Sequence, residues 1–227
     1  MTLTKLWKFI QGNVFTVKST PDLFNPYRDN VDGLDLKNGS SIRRKNLKNY
    51  LESFDTPPDT LLVGEAPGFG GCRFSGVPFS SERQIESGLL PFRGKTSCRN
   101  GTPKIEPTAT VFWEIMKPYH PNFFVWNSVP FHPHKTGEPL SNRFPSRKEI
   151  DTHSGILLGI IDLLEPARVI AVGRKAEIAL SRLNVSFEHV PHPSRGKKEK
   201  FKAGISPDMA IRLEKEFGGT RQTVRSA

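Results

Sequence analysis

Apolar residues recur along the chain at helical and strand-like spacings, and the two alternate from residue 60 onward. Before that point, Leu3 to Ile10 reads as a short helix, and Pro21 to Asn38, rich in Asn, Asp, Pro and Gly, as an ordered loop. Ser40 or Ser41 caps a helix through Ile42, Leu47, Tyr50, Leu51 and Phe54, with Arg43, Arg44, Lys45 and Lys48 on its polar face; Pro57 and Pro58 stop it. Thr60 to Val63 is a short apolar strand that runs into a glycine-rich segment, Gly64 to Gly71. Thr108 caps a helix holding Val111, Phe112, Ile115 and Met116, which ends at Pro118, and Phe123 to Trp126 follows as a buried strand. After another long loop, Ser146 and Glu149 have the spacing of a capping box. The helix they open carries Ile150, Ile156, Leu157, Ile160, Ile161 and Leu164 as far as Pro166. Val169 to Val172 is a third strand, Lys175 to Leu183 a helix, Phe187 to Val190 a fourth strand, and Pro207 to Phe217 a last amphipathic helix.

Strands that alternate with helices in this way predict an α/β fold, a three-layer sandwich with a central, mainly parallel four-stranded sheet and helices on both faces. The 227 residues are expected to form a single domain, its core at 56–217, with a helical and loop extension at 1–55 and a polar tail at 218–227. Ligands of such sheets bind beyond the carboxyl ends of the strands. That rule nominates Glu65 to Phe79 after the first strand, Asn127 to His134 after the second and His192 to Lys198 after the fourth.

Charge adds a partner class. Thirty-three Lys and Arg against 23 Asp and Glu leave a net charge of +10, which favours encounter with a polyanion but does not by itself choose between nucleic acid and anionic lipid. No run approaches the roughly 20 apolar residues that span a bilayer, and the opening MTLTKLWKFIQGN breaks its apolar stretch too early for a secretory signal, so a cytoplasmic protein with no membrane partner is expected. Cys72 and Cys98 are too few for a disulfide framework or a four-thiolate iron-sulfur cluster.

The first nominated segment, GEAPGFGGCRFSGVPFSSE, bends on its glycines and places Glu65 at the strand's end. It lacks the Lys and Ser or Thr of a P-loop and the G-x-G-x-x-G of a dinucleotide site. Glu65 is there either a carboxylate that caps nearby amides or a reactive group. In FVWNSVPFHPH, the amide of Asn127 offers a donor and an acceptor side by side, suited to a base edge or to neighbouring backbone. His132 and His134 have no third ligand at a familiar spacing, so a structural loop role is expected and no metal. In HVPHPSRGKKEKFK, His192 sits between two prolines, followed by Ser194, Arg195, Lys197, Lys198, Lys200 and Lys202, either a solvated face or a phosphate-binding loop.

Together, G-E-A-P-G at Gly64 to Gly68 with Pro78 and Phe79, the strand-end Asn127, and H-P-S at His192 to Ser194 resemble the uracil-DNA glycosylase superfamily, over roughly Thr60 to Phe217. The Glu at 65 is similar to the iron-sulfur branch, but the four cysteines of that branch are missing. The chain therefore looks more like cluster-free bacterial relatives that carry G-C-R and N-x-x-P-F-H-P-H elements. The resemblance implies a monofunctional glycosylase that hydrolyses the N-glycosidic bond of a flipped-out base, most simply uracil in DNA, as a monomer without metal or organic cofactor. It implies Glu65 and His192 as catalytic groups and Asn127, Phe79, Ala66 and Gly64 as the base pocket. Pro67, Gly68, Ser194, Arg195, Lys197 and Lys198 are implied as DNA contacts. Because Ala66 is small, a glycosylase for bulkier modified pyrimidines, such as those of phage DNA, is an alternative, unless Phe69 or Phe74 fills the space. A DNA-binding relative without catalysis is another.

Overall fold

The computed structural model describes residues 2–194 and 196–205. In chain order its elements are α1 (Thr2–Asn13), β1 (Leu23–Phe24), α2 (Gly39–Leu51), β2 (Thr60–Gly64), α3 (Cys72–Ser75), α4 (Glu82–Ser87) and α5 (Pro107–Met116). They continue with β3 (Phe123–Asn127), β4 (His132–Pro133), α6 (Arg147–Leu164), β5 (Arg168–Val172), α7 (Arg174–Arg182) and β6 (Glu188–Val190), and residues 198–205 are helical. The helix expected at Pro207 to Phe217 and the tail beyond it lie outside the described residues.

The four anticipated strands form one parallel sheet in the order β3-β2-β5-β6, layered by helices as an α/β fold predicts. β2 is central and wholly buried, and its run of Leu61, Leu62 and Val63 has the continuous apolar character of a strand covered on both faces. β3 is an edge, and α2 shields it: the Tyr50 hydroxyl accepts a hydrogen bond from the Val125 N–H at 2.9 Å. α1 packs on α6, where Gly159 lies against the ring of Phe9, and Leu6, Ile10, Leu47 and Tyr50 join the same apolar cluster as the sheet. α1 and α2 are thus part of the core packing. Among the described residues, no helix is long and apolar enough to cross a membrane.

Several local expectations are corrected. α2 begins at Gly39 after an Asn38 cap, not after Ser40 or Ser41, and ends before Phe54. Arg43 does not lie on its polar face: the side chain is fully buried and pairs with Asp35, which also receives two hydrogen bonds from the equally buried Arg73. A carboxylate from the preceding loop makes that burial tolerable, and a helical periodicity cannot reveal such a partner. Glu106, not Thr108, caps α5. The loop at 21–38 contains β1, which pairs with β4 and stitches the N-terminal region to the segment after β3. α3 and α4 lie between β2 and α5, where the apolar spacing marks no element. They are short because Gly76 and Gly88, both at positive φ, end them.

Candidate active site

Parallel register brings the chemistry to one end of the sheet. Gly64 is opposite Asn127 in the β2–β3 pair, and the ends of β5 and β6 emerge beside them. A cleft of about 680 Å³ opens there, with Glu65, Phe79, Asn127, Lys175 and His192 among its walls.

The loop after β2 is fixed from below. Ser128 N–H donates to Gly64 O at 2.9 Å, Val129 N–H to Glu65 O at 3.1 Å, and Ser128 Oγ–H to Glu65 O at 2.7 Å. His132, buried, bonds through Nδ1 to Pro67 O at 2.7 Å and so braces the glycine-rich loop, while His134 Nδ1 bonds its own neighbour, Lys135 O. Glu65 therefore stands on a rigid turn with its carboxyl half-buried. Burial pushes its pKa up to about 7, and the nearby Lys175 ammonium opposes that rise.

Asn127 is 4% exposed, and among the described residues its side-chain amide has no hydrogen-bond partner. The residue lines the cleft, so the amide is open to a ligand that presents the matching donor and acceptor. Phe79 faces the same space, stacked on Phe112 with centroids 4.5 Å apart and held at φ 50°. Gly64 allows this approach: a Cβ there would stand 2.5 Å from the Phe79 ring and 2.7 Å from Asn127 Oδ1. Ala66 lines the cleft beside Glu65. Phe74 is buried against Arg73, its ring centroid 3.9 Å from the guanidinium, while Phe69 is 39% exposed, so Phe74 cannot plug the cleft.

His192 closes the opposite side, its ring centroid 5.8 Å from that of Phe79. Gly173, at φ 88°, makes room for it, since a Cβ there would lie 2.9 Å from the histidine's own Cβ. Burial, aided by Lys197, lowers the His192 pKa to about 4, so the ring is neutral at physiological pH. Nδ1 lies 2.9 Å from Ser194 Oγ. When that hydroxyl donates, Nε2 carries the ring proton.

Of the expected DNA contacts, Pro67, Gly68, Ser194 and Lys197 line the cleft. Lys198 does not, and its ammonium bonds Glu114 at 2.5 Å. Arg195 lies outside the described residues. Sequence reasoning passed over the wall made by Asn142, Arg143, Phe144, Arg174 and Lys175. Gly173, Arg174 and Lys175 directly follow β5, so the strand-end rule that nominated the other segments reaches these as well.

Residues 52–214 match the family model of the uracil DNA glycosylase superfamily. No curated protein matches the chain. Among solved structures, wild-type SMUG2 of Pedobacter heparinus is similar in fold, with a TM-score of 0.62 and 16% sequence identity over 95% of this chain and 98% of that one. A family match across most of the sequence, carried on the parallel sheet whose strand ends meet in this cleft, means that the chain belongs to the uracil DNA glycosylase superfamily and is a DNA glycosylase.

Proposed function

We propose that the base excised is uracil, flipped into the cleft and hydrolysed from its deoxyribose without a covalent or metal-bound intermediate. The observation that carries this reading is the Asn127 amide in the cleft wall next to the Phe79 ring, with no hydrogen-bond partner among the described residues. An amide can donate to uracil O4 and accept from N3–H while the ring stacks on Phe79. Cytosine presents the reverse pattern and leaves both partners unpaired, at about 1–3 kcal/mol per group.

The reaction breaks the C1′–N1 bond. Positive charge develops on the sugar and negative charge on the base, so stabilisation is needed at both ends. Ionised Glu65 offsets the sugar's charge and orients a water whose oxygen bonds to C1′, and the water's proton passes to the carboxylate. Neutral His192 donates from Nε2 to uracil O2 as the base departs as an anion. Its low pKa suits this role, since the ring donates without giving up its proton. Pro67, Gly68, Ser194 and Lys197, which line the cleft, contact the DNA around the flipped nucleotide, and the enzyme acts as a monomer.

A second reading keeps the mechanism and changes the base. Ala66 contributes only a methyl group next to Glu65, and Phe74 is held elsewhere by Arg73, which supports room for a substituent at pyrimidine C5. Oligonucleotides carrying uracil, thymine opposite guanine, hypoxanthine or a 5-substituted cytosine, assayed for abasic sites with Glu65→Gln and His192→Ala as controls, separate the readings. Uracil release lost in both variants is expected. Cleavage restricted to the modified cytosine would transfer the function to the second reading, and abasic sites formed equally by both variants would overturn the assigned roles.

A further inference from the structure

Phe144 has the highest exposure of the large apolar side chains among the described residues, at 62%, yet its ring has a fixed neighbour: Lys175 Nζ stands 4.2 Å from the ring centroid. It lies in the wall of the active-site cleft with Asn142, Arg174 and Lys175, and the excision chemistry uses none of them to hold the base. Asn142 Oδ1 accepts the Phe69 N–H at 2.9 Å, which ties this wall to the loop that carries Glu65. Arg174 and Lys175 are exposed, and Arg174 makes only a long 3.6 Å ion pair with Glu177. An oriented aromatic face next to paired cations is the combination by which proteins hold unpaired nucleotides, the ring stacking on a base while the cations meet the phosphates.

We propose that Phe144, Arg174 and Lys175 form a subsite for the nucleotide next to the target in single-stranded DNA. The base of that nucleotide stacks on the free face of Phe144, and its phosphates bond Arg174 and Lys175. This deepens the base-excision reading and rests on the same cleft. In a duplex, the flanking base is paired and stacked between its neighbours, so its face is not available to the ring. The subsite therefore makes the enzyme favour single strands, beyond the lower cost of flipping a base that has no partner.

The test uses binding, so that it does not depend on turnover. Fluorescein-labelled oligonucleotides containing one uracil, single-stranded or duplex, are titrated with the Glu65→Gln chain and followed by anisotropy. Adding Phe144→Ala is expected to weaken single-strand binding roughly tenfold, while Phe144→Trp retains it. Duplex affinity and melting temperature are expected to hold, because the side chain is exposed. Replacing the flanking nucleotide by an abasic residue is expected to erase the difference that Phe144→Ala makes. Lys175→Met is expected to reduce the salt slope by about 0.7 log units per log of salt. Equal single-strand affinity with and without Phe144 would overturn the subsite, as would a loss that persists opposite an abasic flank. If these affinities follow the pattern while the unmodified chain excises no base, the excision reading fails and the subsite stands.

Discussion

Glu65→Gln should disable the enzyme and stabilise it, and the second effect should depend on pH. Burial raises the carboxyl pKa from 4.5 to about 7, with Lys175 the opposing charge and His192 and Glu106 sharing the cleft. A raised folded-state value means that the carboxyl favours folding below the unfolded pKa, and that this contribution is lost as pH climbs through the folded one. At about 1.4 kcal/mol per pKa unit, the full loss is about 3 kcal/mol; since the group is only half-buried and partly solvated, about 2 kcal/mol is the better figure. Gln, neutral throughout, avoids this. Thermal unfolding of both proteins should therefore show a small difference near pH ~5, and near pH ~8 an advantage for Gln of about 4–8 °C for a chain of this size. Excision by the variant should fall by about 10²- to 10⁴-fold. An advantage equal at both pH values, or none at pH ~8, would refute the claim that burial destabilises the Glu65 carboxylate.

The same carboxyl sets the pH profile: single-turnover excision should rise tenfold per pH unit below about 7 and level off above it. Lys175→Met should move the midpoint upward, because the opposing ammonium is gone, and an unmoved midpoint would mean that Lys175 does not act on Glu65. Gly64→Ala should cost about 1–3 kcal/mol of stability, measured by urea denaturation. It should also lower kcat/KM steeply, since the new methyl collides with the Phe79 ring and Asn127 Oδ1; unchanged kinetics would mean that neither group needs its present position. Asp35→Ala should destabilise by about 3–5 kcal/mol, because it strands the buried Arg43 and Arg73 guanidiniums, whereas a loss under about 1 kcal/mol would show that these charges are solvated.

The sheet was legible because its strands are continuous apolar runs between turn residues, a local property that β2, β3 and β5 express within five residues each. Their order was not, since parallel neighbours are joined through helices and no local pattern states which strand lies beside which. Arg43 shows the same limit at a single residue. Its position on α2 reads as solvent-facing, and only the return of Asp35 and Arg73 in three dimensions makes it part of the interior.

The candidate site divides along a physical line. Glu65, Asn127 and His192 stand at strand ends or in a proline-bounded turn, so their convergence follows from a parallel sheet whose strands all finish at one edge. Phe144 has no such anchor. It comes from the long connection between β4 and α6, and it reaches the cleft because Arg143 bonds Asp22 and Glu149 while Asn142 bonds Phe69. The bonds to Asp22 and Phe69 join segments far apart in sequence. The groups that would perform the chemistry, and the cations Arg174 and Lys175 after β5, were therefore readable from strand ends, whereas the ring that would stack on the neighbouring nucleotide depends on tertiary bonds. Exchanging Phe144 while leaving the strand ends intact would change the preference between single-stranded and duplex DNA without changing how the bond is broken.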